Sequence, residues 1–117
     1  MPRYAILEHD YPTLHWDLML EVGEVLRTWR LASPPALGQT VFAEPSFDHR
    51  RLYLDYEGPI SGNRGTVTAW DRGTFEGAAD DTERVVVEIR GGRLCGTMTL
   101  ERQGAAWLLR LDSPSGP

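Results

Sequence analysis

Three histidines, with the acids, phenol and guanidinium near them, hold most of the chemistry this chain could perform. His15 and Asp17 stand two residues apart in the run Leu14-His15-Trp16-Asp17-Leu18-Met19-Leu20-Glu21, which alternates between apolar and polar. Leu14, Trp16, Leu18 and Leu20 share one face of the predicted strand, and His15, Asp17, Met19 and Glu21 share the other. An imidazole and a carboxylate on one side of a strand lie within range of a shared cation. His9, across a turn expected at Tyr11-Pro12, could complete a two-histidine, one-carboxylate set. That donor set suits manganese, iron or zinc and leaves positions open for water or substrate.

A second run, Phe47 to Gly58, alternates again: Leu52, Leu54 and Tyr56 are apolar, and Arg51, Tyr53, Asp55 and Glu57 are polar. If this strand reaches back to His49, then His49, Arg51 and Tyr53 share a face. An imidazole, a guanidinium and a phenol together suit a tetrahedral oxyanion, which makes Arg51 a candidate phosphate ligand. Plainer readings stand beside these. His-x-Asp alone matches many sequences by chance, a strand histidine is commonly a surface or internally bonded residue, and Tyr53 could bond a backbone carbonyl. His15 and Asp17 with the later His49 also imitate the facial triad of iron(II), 2-oxoglutarate oxygenases, but that reading leaves His9 and Tyr53 without a role. Trp16, Trp29, Trp70 and Trp107 read as core anchors.

The elements that must position these residues are strands. Period-two segments recur at residues 3–8, 14–21, 24–30, 51–56, 65–71, 84–90, 93–102 and 106–111, separated by Gly, Pro, Asn and Asp, and no window holds a 3.6 period. The expected fold is mainly β, with about eight strands forming a compact, closed or nearly closed barrel with little helix, because closure removes exposed edges. Gly91-Gly92 is expected to form a two-residue hairpin turn and residues 103–105 a slightly longer one. Residues 33–38 read as a loop crossing one end of the barrel, residues 77–83 as a solvated acidic loop, and residues 112–117 as a frayed tail.

With 117 residues, one domain over residues 1–117 is expected. No apolar run is long enough to span a bilayer, no secretory leader is evident, and a cytoplasmic location is expected. The lone Cys95 reads as structural. A formal charge of −5 argues against a broad cationic DNA-binding face, so any contact with nucleic acid should be local. All 12 basic residues are arginine, whose planar forks match phosphate.

Together these motifs resemble the 3′-phosphoesterase domain of bacterial DNA ligase D. That family pairs a His-x5-His-(Tyr or Trp)-Asp stretch, here His9 to Asp17, with an Asp-His-x3-Tyr stretch, here Asp48-His49 to Tyr53, ahead of an aromatic-Glu-Gly, here Tyr56-Glu57-Gly58. The likeness continues through Thr28-Trp29, Thr66 to Asp71, Gly92-Arg93-Leu94, Gly96 and Trp107 to Arg110. The resemblance implies that His9, His15 and Asp17 bind manganese, with zinc or iron as alternatives, and that His49 and Tyr53 contact the phosphate under attack. It implies a divalent-metal-dependent enzyme of non-homologous end joining that removes a 3′ phosphate or 3′ ribonucleotide from DNA ends. The expected partners are DNA 3′ ends and a DNA ligase, polymerase or Ku acting in trans, with no membrane. The chain departs from the pattern where the family carries basic residues: Met19 stands two residues after the aspartate, Val41 eight before His49, and Ser33 after Trp29. Arg51, with Arg30 or Arg64 also in reach, is the expected replacement. The alternative is a weakened or inactive accessory protein that binds metal or nucleic acid for a ligase or polymerase system.

Overall fold

In a computed structural model, residues 1–114 are described; among them seven of the eight alternating segments form strands, and two further strands bring the number to nine. These are β1 Arg3–His9, β2 His15–Val22, β3 Val25–Leu31, β4 Thr40–Arg50, β5 Gly58–Pro59, β6 Thr66–Glu76, β7 Arg84–Gly91, β8 Cys95–Gln103 and β9 Ala106–Asp112. Eight of them close a ring in the order β1-β2-β3-β4-β9-β8-β7-β6, with β6 returning to β1 and every neighbour antiparallel. The two-residue β5 lies beside the start of β6. This is the expected closed barrel with little helix.

Alternation gives each strand an inner and an outer face, and here β1 to β3 bury both. The inner face carries Tyr4, Ile6, Leu18, Leu20, Trp29 and Leu31 into the main core, where Trp29 meets Trp107 edge-on. Burying each large apolar side chain stabilises the barrel by about 1.5–3 kcal/mol. The outer face carries Ala5, Leu7, Met19 and Leu26 into a second, smaller core closed by Leu54 and Val67. Leu54 comes from a single 3-10 turn, Arg51–Leu54, that follows β4 and lies over the outside of the sheet.

That turn corrects the strand expected over residues 51–56, and the strand that forms instead is β4. Pro45 hides β4 in the sequence, since proline removes a ladder donor. It is tolerated because β9 pairs with β4 only over Thr40 to Ala43, so from Pro45 onward one side of β4 has no strand to bond. The hairpins also differ from expectation. Gly91 stays in the β7 ladder and the link to β8 runs through Gly92, Arg93 and Leu94, whereas Gln103 pairs with Ala106 across a two-residue turn. Gly91 is required for closeness: a Cβ there would collide with the Tyr4 hydroxyl and the Asp71 carboxylate.

Residues 33–38 do run between β3 and β4 across the barrel end, where the Gly38 N–H donates to the Leu111 carbonyl at 2.7 Å. The acidic loop 77–83 is more than a solvated excursion. The Arg27 guanidinium donates to the carbonyls of Ala79 and Asp81, and Asp81 Oδ1 accepts from the N–H groups of Glu83 and Arg84. Of the tail expected to fray, Asp112 ends β9, and residues 115–117 lie outside the described residues. No helix among the described residues is long and apolar enough to cross a membrane.

Candidate active site

The outer face of β1, β2 and β3 gathers the candidate metal ligands because neighbouring strands place cross-strand partners on one face. His9 on β1 stands opposite His15 on β2, and Asp17 on β2 stands between Leu7 of β1 and Arg30 of β3. The five-residue connection between β1 and β2 holds the expected turn, with a cis bond at Tyr11-Pro12. Asp17 Oδ2 lies 3.3 Å from His15 Nε2 and 3.7 Å from His9 Nδ1, and one donor atom from each residue falls within 4.8 Å of the other two.

Hydrogen bonds on the far side of each ring decide what those nitrogens present. His9 Nε2 lies 2.8 Å from the Arg64 carbonyl and His15 Nδ1 lies 2.8 Å from the Thr13 carbonyl. A carbonyl only accepts, so each of these nitrogens carries the proton, and a neutral ring then offers a lone pair at its other nitrogen. Both lone pairs face the same carboxylate oxygen. With both rings neutral, three electron-rich atoms converge as a suitable ligand set for a divalent cation, and the backbone carbonyls behind the imidazoles orient them as outer partners do in metal sites. The residues therefore fit the metal that the sequence leads one to expect.

The Arg64 carbonyl depends on Gly65. Gly65 has φ +78°, where an L side chain is strained, and a Cβ there would strike the Asp10 carboxylate. Asp10 Oδ1 in turn accepts the Thr66 N–H at 2.7 Å, which fixes the chain beside His9.

His49 reaches the same face through an irregularity in β4. Thr28 pairs with Ser46 and Leu26 with His49, so one residue of β3, Arg27, faces two of β4, Phe47 and Asp48, and the extra residue puts His49 where Asp48 would otherwise stand. Its Nδ1 lies 2.9 Å from the Phe47 carbonyl and 3.0 Å from the hydroxyl of buried Thr28, which itself donates to the Leu26 carbonyl. The Nδ1–H is thereby shared between two acceptors, leaving Nε2 for the cavity. Burial pushes the His49 imidazolium below its usual range, partly offset by the Phe47 carbonyl and by the charges of Asp17 and Asp48. Tyr53, on the 3-10 turn, meets His49 edge-on at 5.7 Å.

A cleft of about 370 Å³ runs between these groups. His9 and Asp17 line one side, His49 and Tyr53 the other, Met19 and Leu7 the apolar floor, and Tyr11 and Phe47 the rim. Three arginines are among its lining residues: Arg30, Arg50 and Arg64.

The structure thus brings together five of the six residues singled out from the sequence: His9, His15, Asp17, His49 and Tyr53. It does not bring Arg51. The expected shared face required a strand, and in the 3-10 turn Arg51 swings outward to Glu21 at 3.0 Å and Glu24 at 3.6 Å. The donor cluster contains His9 rather than His49, contrary to a His15, Asp17, His49 triad. Val41 lies inside the barrel and cannot be a vacated cation position of the cleft, and Ser33 is not among its lining residues. Arg50 and Thr28 were missed; Thr28 becomes legible only through the β3–β4 register.

The chain matches the family model described as the DNA ligase D 3′-phosphoesterase domain over residues 7–102. It is 31% identical over 112 residues to the multifunctional non-homologous end joining protein LigD of Pseudomonas aeruginosa, covering 92% of this chain and 13% of that protein. It is 34% identical over 115 residues to the multifunctional non-homologous end joining DNA repair protein LigD of Mycobacterium tuberculosis, covering 90% of this chain and 15% of that one. The LigD of Mycolicibacterium smegmatis is 26% identical over 123 residues. The chain therefore spans about one seventh of the length of these relatives.

Proposed function

The chain belongs to the DNA ligase D 3′-phosphoesterase domain family, and from that membership and its site we propose that it is a divalent-metal-dependent phosphoesterase acting on DNA 3′ ends. The observation that carries this reading is the convergence of two carbonyl-anchored imidazoles on the Asp17 carboxylate, beside a cleft with His49 and Tyr53 on its opposite wall. The reaction would remove a terminal ribonucleotide or phosphate and leave a 3′ hydroxyl that a polymerase or ligase can use.

His9 through Nδ1, His15 through Nε2 and Asp17 through Oδ2 would hold the metal. Bound there, a divalent ion, manganese first and zinc or iron next, would supply positive charge to a phosphoryl oxygen and to an attacking water. His49 and Tyr53 would contact the other phosphoryl oxygens. As the water oxygen bonds to phosphorus and the bond from phosphorus to the 3′ oxygen breaks, that oxygen must take up a proton. The attacking water gives up a proton, and His49 Nε2 is placed to take it up and pass it to that oxygen, since the Phe47 carbonyl and Thr28 hydroxyl hold the ring by its other nitrogen. Tyr53 offers a phenolic proton from the same wall. The named relatives are end-joining proteins several times longer than this chain; a ligase, polymerase or Ku acting in trans would use the cleaned end.

Hydrolysis of a labelled primer-template with a 3′ phosphate or a single 3′ ribonucleotide tests the reading. Cleavage should require manganese and be lost in His15→Ala. Manganese binding without cleavage of either end would overturn it in favour of a binding module, the alternative that Met19 in the cleft floor favours.

A further inference from the structure

We propose that Arg30 is the phosphate clamp of this cleft, replacing the contact that Met19 cannot make; this rests on the phosphoesterase reading above. Met19 is fully buried and packs with Ala5, Leu7, Leu26, Leu54 and Val67, so its position contributes surface and no charge. The register supplies a guanidinium one strand away. Arg30 on β3 pairs directly with Asp17, and Met19 pairs with Thr28 two residues before it, so Arg30 lies diagonal to Met19 and adjacent to the chelating carboxylate on the same face.

Arg30 is also uncommitted. It is half-buried and flanked by Asp17 on β2 and Glu44 on β4, yet among the described residues it forms no ion pair or hydrogen bond with either. Its side chain lines the cleft that His49, Tyr53 and Asp17 share. A half-buried guanidinium with all five donors open, beside a cluster suited to a cation, fits an anion that bridges both. The other lining arginines are placed differently. Arg64 Nε and Nη2 are turned back onto the Ser61 carbonyl and hydroxyl, and Arg50 is exposed at the end of β4. Arg30 is the one next to Asp17, where a phosphate oxygen shared with a metal would sit; Arg50 and Arg64 are suited to the more distal phosphates of a strand.

Binding of inorganic phosphate and of a 3′-phosphorylated oligothymidylate, with and without manganese, would be measured for wild type, Arg30→Ala, Arg30→Lys and Arg51→Ala, with manganese binding followed by electron paramagnetic resonance. Arg30→Ala should weaken both anions roughly tenfold to hundredfold, the range for a charge-assisted contact, while manganese binding and melting temperature hold. Arg30→Lys should fall between, since it keeps the charge and loses the fork, and it serves if the alanine variant does not fold. Arg51→Ala should match wild type. Unchanged anion affinity in a folded Arg30 variant, loss in Arg51→Ala, or no phosphate binding by wild type would overturn the assignment. Anion binding that depends on Arg30 without cleavage of any 3′ end would remove the phosphoesterase reading and leave the clamp standing.

Discussion

Two buried aspartates on neighbouring parts of the barrel show how differently the same side chain can be used. Asp71 and Asp17 are both about 95% withdrawn from solvent. Asp71 is surrounded by donors: the Tyr4 hydroxyl at 2.7 Å and the N–H groups of Arg93 and Leu94 at 2.8 and 3.1 Å. Burial and the neighbouring carboxylate both push the Tyr4 phenol's pKa up, so it remains a donor. Asp17 faces two imidazole nitrogens whose protons are committed to the Arg64 and Thr13 carbonyls. A buried carboxylate is stable when donors surround its oxygens, as at Asp71. With both imidazoles neutral, Asp17 has no such ring of donors, and that difference separates a group that holds the fold from one suited to a cation, the role proposed for it.

The largest effect expected from this contrast is on metal binding. Asp17→Asn should lower manganese affinity by more than the 10- to 100-fold typical of outer partners, roughly a thousandfold, and abolish 3′-end cleavage. The metal-free variant should melt no lower than wild type; manganese should raise the melting temperature of wild type and leave that of the variant unchanged. A clear loss of stability without metal would put Asp17 in the same class as Asp71. The converse variant, Asp71→Ala, leaves three donors without an acceptor and should cost about 2–4 kcal/mol, read from denaturant unfolding, with manganese affinity retained.

Smaller effects should follow from the groups that hold the imidazoles. Gly65→Ala forces a side chain into positive φ and against Asp10, displacing the Arg64 carbonyl from His9; manganese affinity should fall about tenfold. Thr28→Val removes one of two acceptors for the His49 Nδ1–H, so turnover should drop several-fold, about 1 kcal/mol, with metal binding unaltered. If Gly65→Ala changed turnover alone, or Thr28→Val changed metal affinity, the proposed division between a metal-binding wall and a proton-transferring wall would fail.

Much of the site was legible in the chain because strands alternate strictly. His15 and Asp17 had to share a face once residues 14–21 were read as a strand, and a short turn at Tyr11-Pro12 had to return His9 alongside. The 51–56 reading failed because the apolar spacing of Leu52, Leu54 and Tyr56 fits a period of two even though the first two belong to a 3-10 turn laid over the sheet and Tyr56 follows it. Arg51 was lost with it. The strand that does carry His49 was hidden by Pro45, whose missing donor matters only if β9 runs alongside, and it stops at Ala43.

What the sequence by itself determined was the mainly β character of the barrel and the placing of His15 and Asp17 on one strand face with His9 returned beside them, consequences of residue type and local periodicity. Tertiary structure alone decided that these groups stand outside the barrel beneath a 3-10 turn, that an extra residue in β4 delivers His49, and that Arg30 rather than Arg51 neighbours Asp17. Those outcomes depend on register between strands distant in the chain, and register is chosen by closing the whole barrel around its core, so no local run of residues contains it.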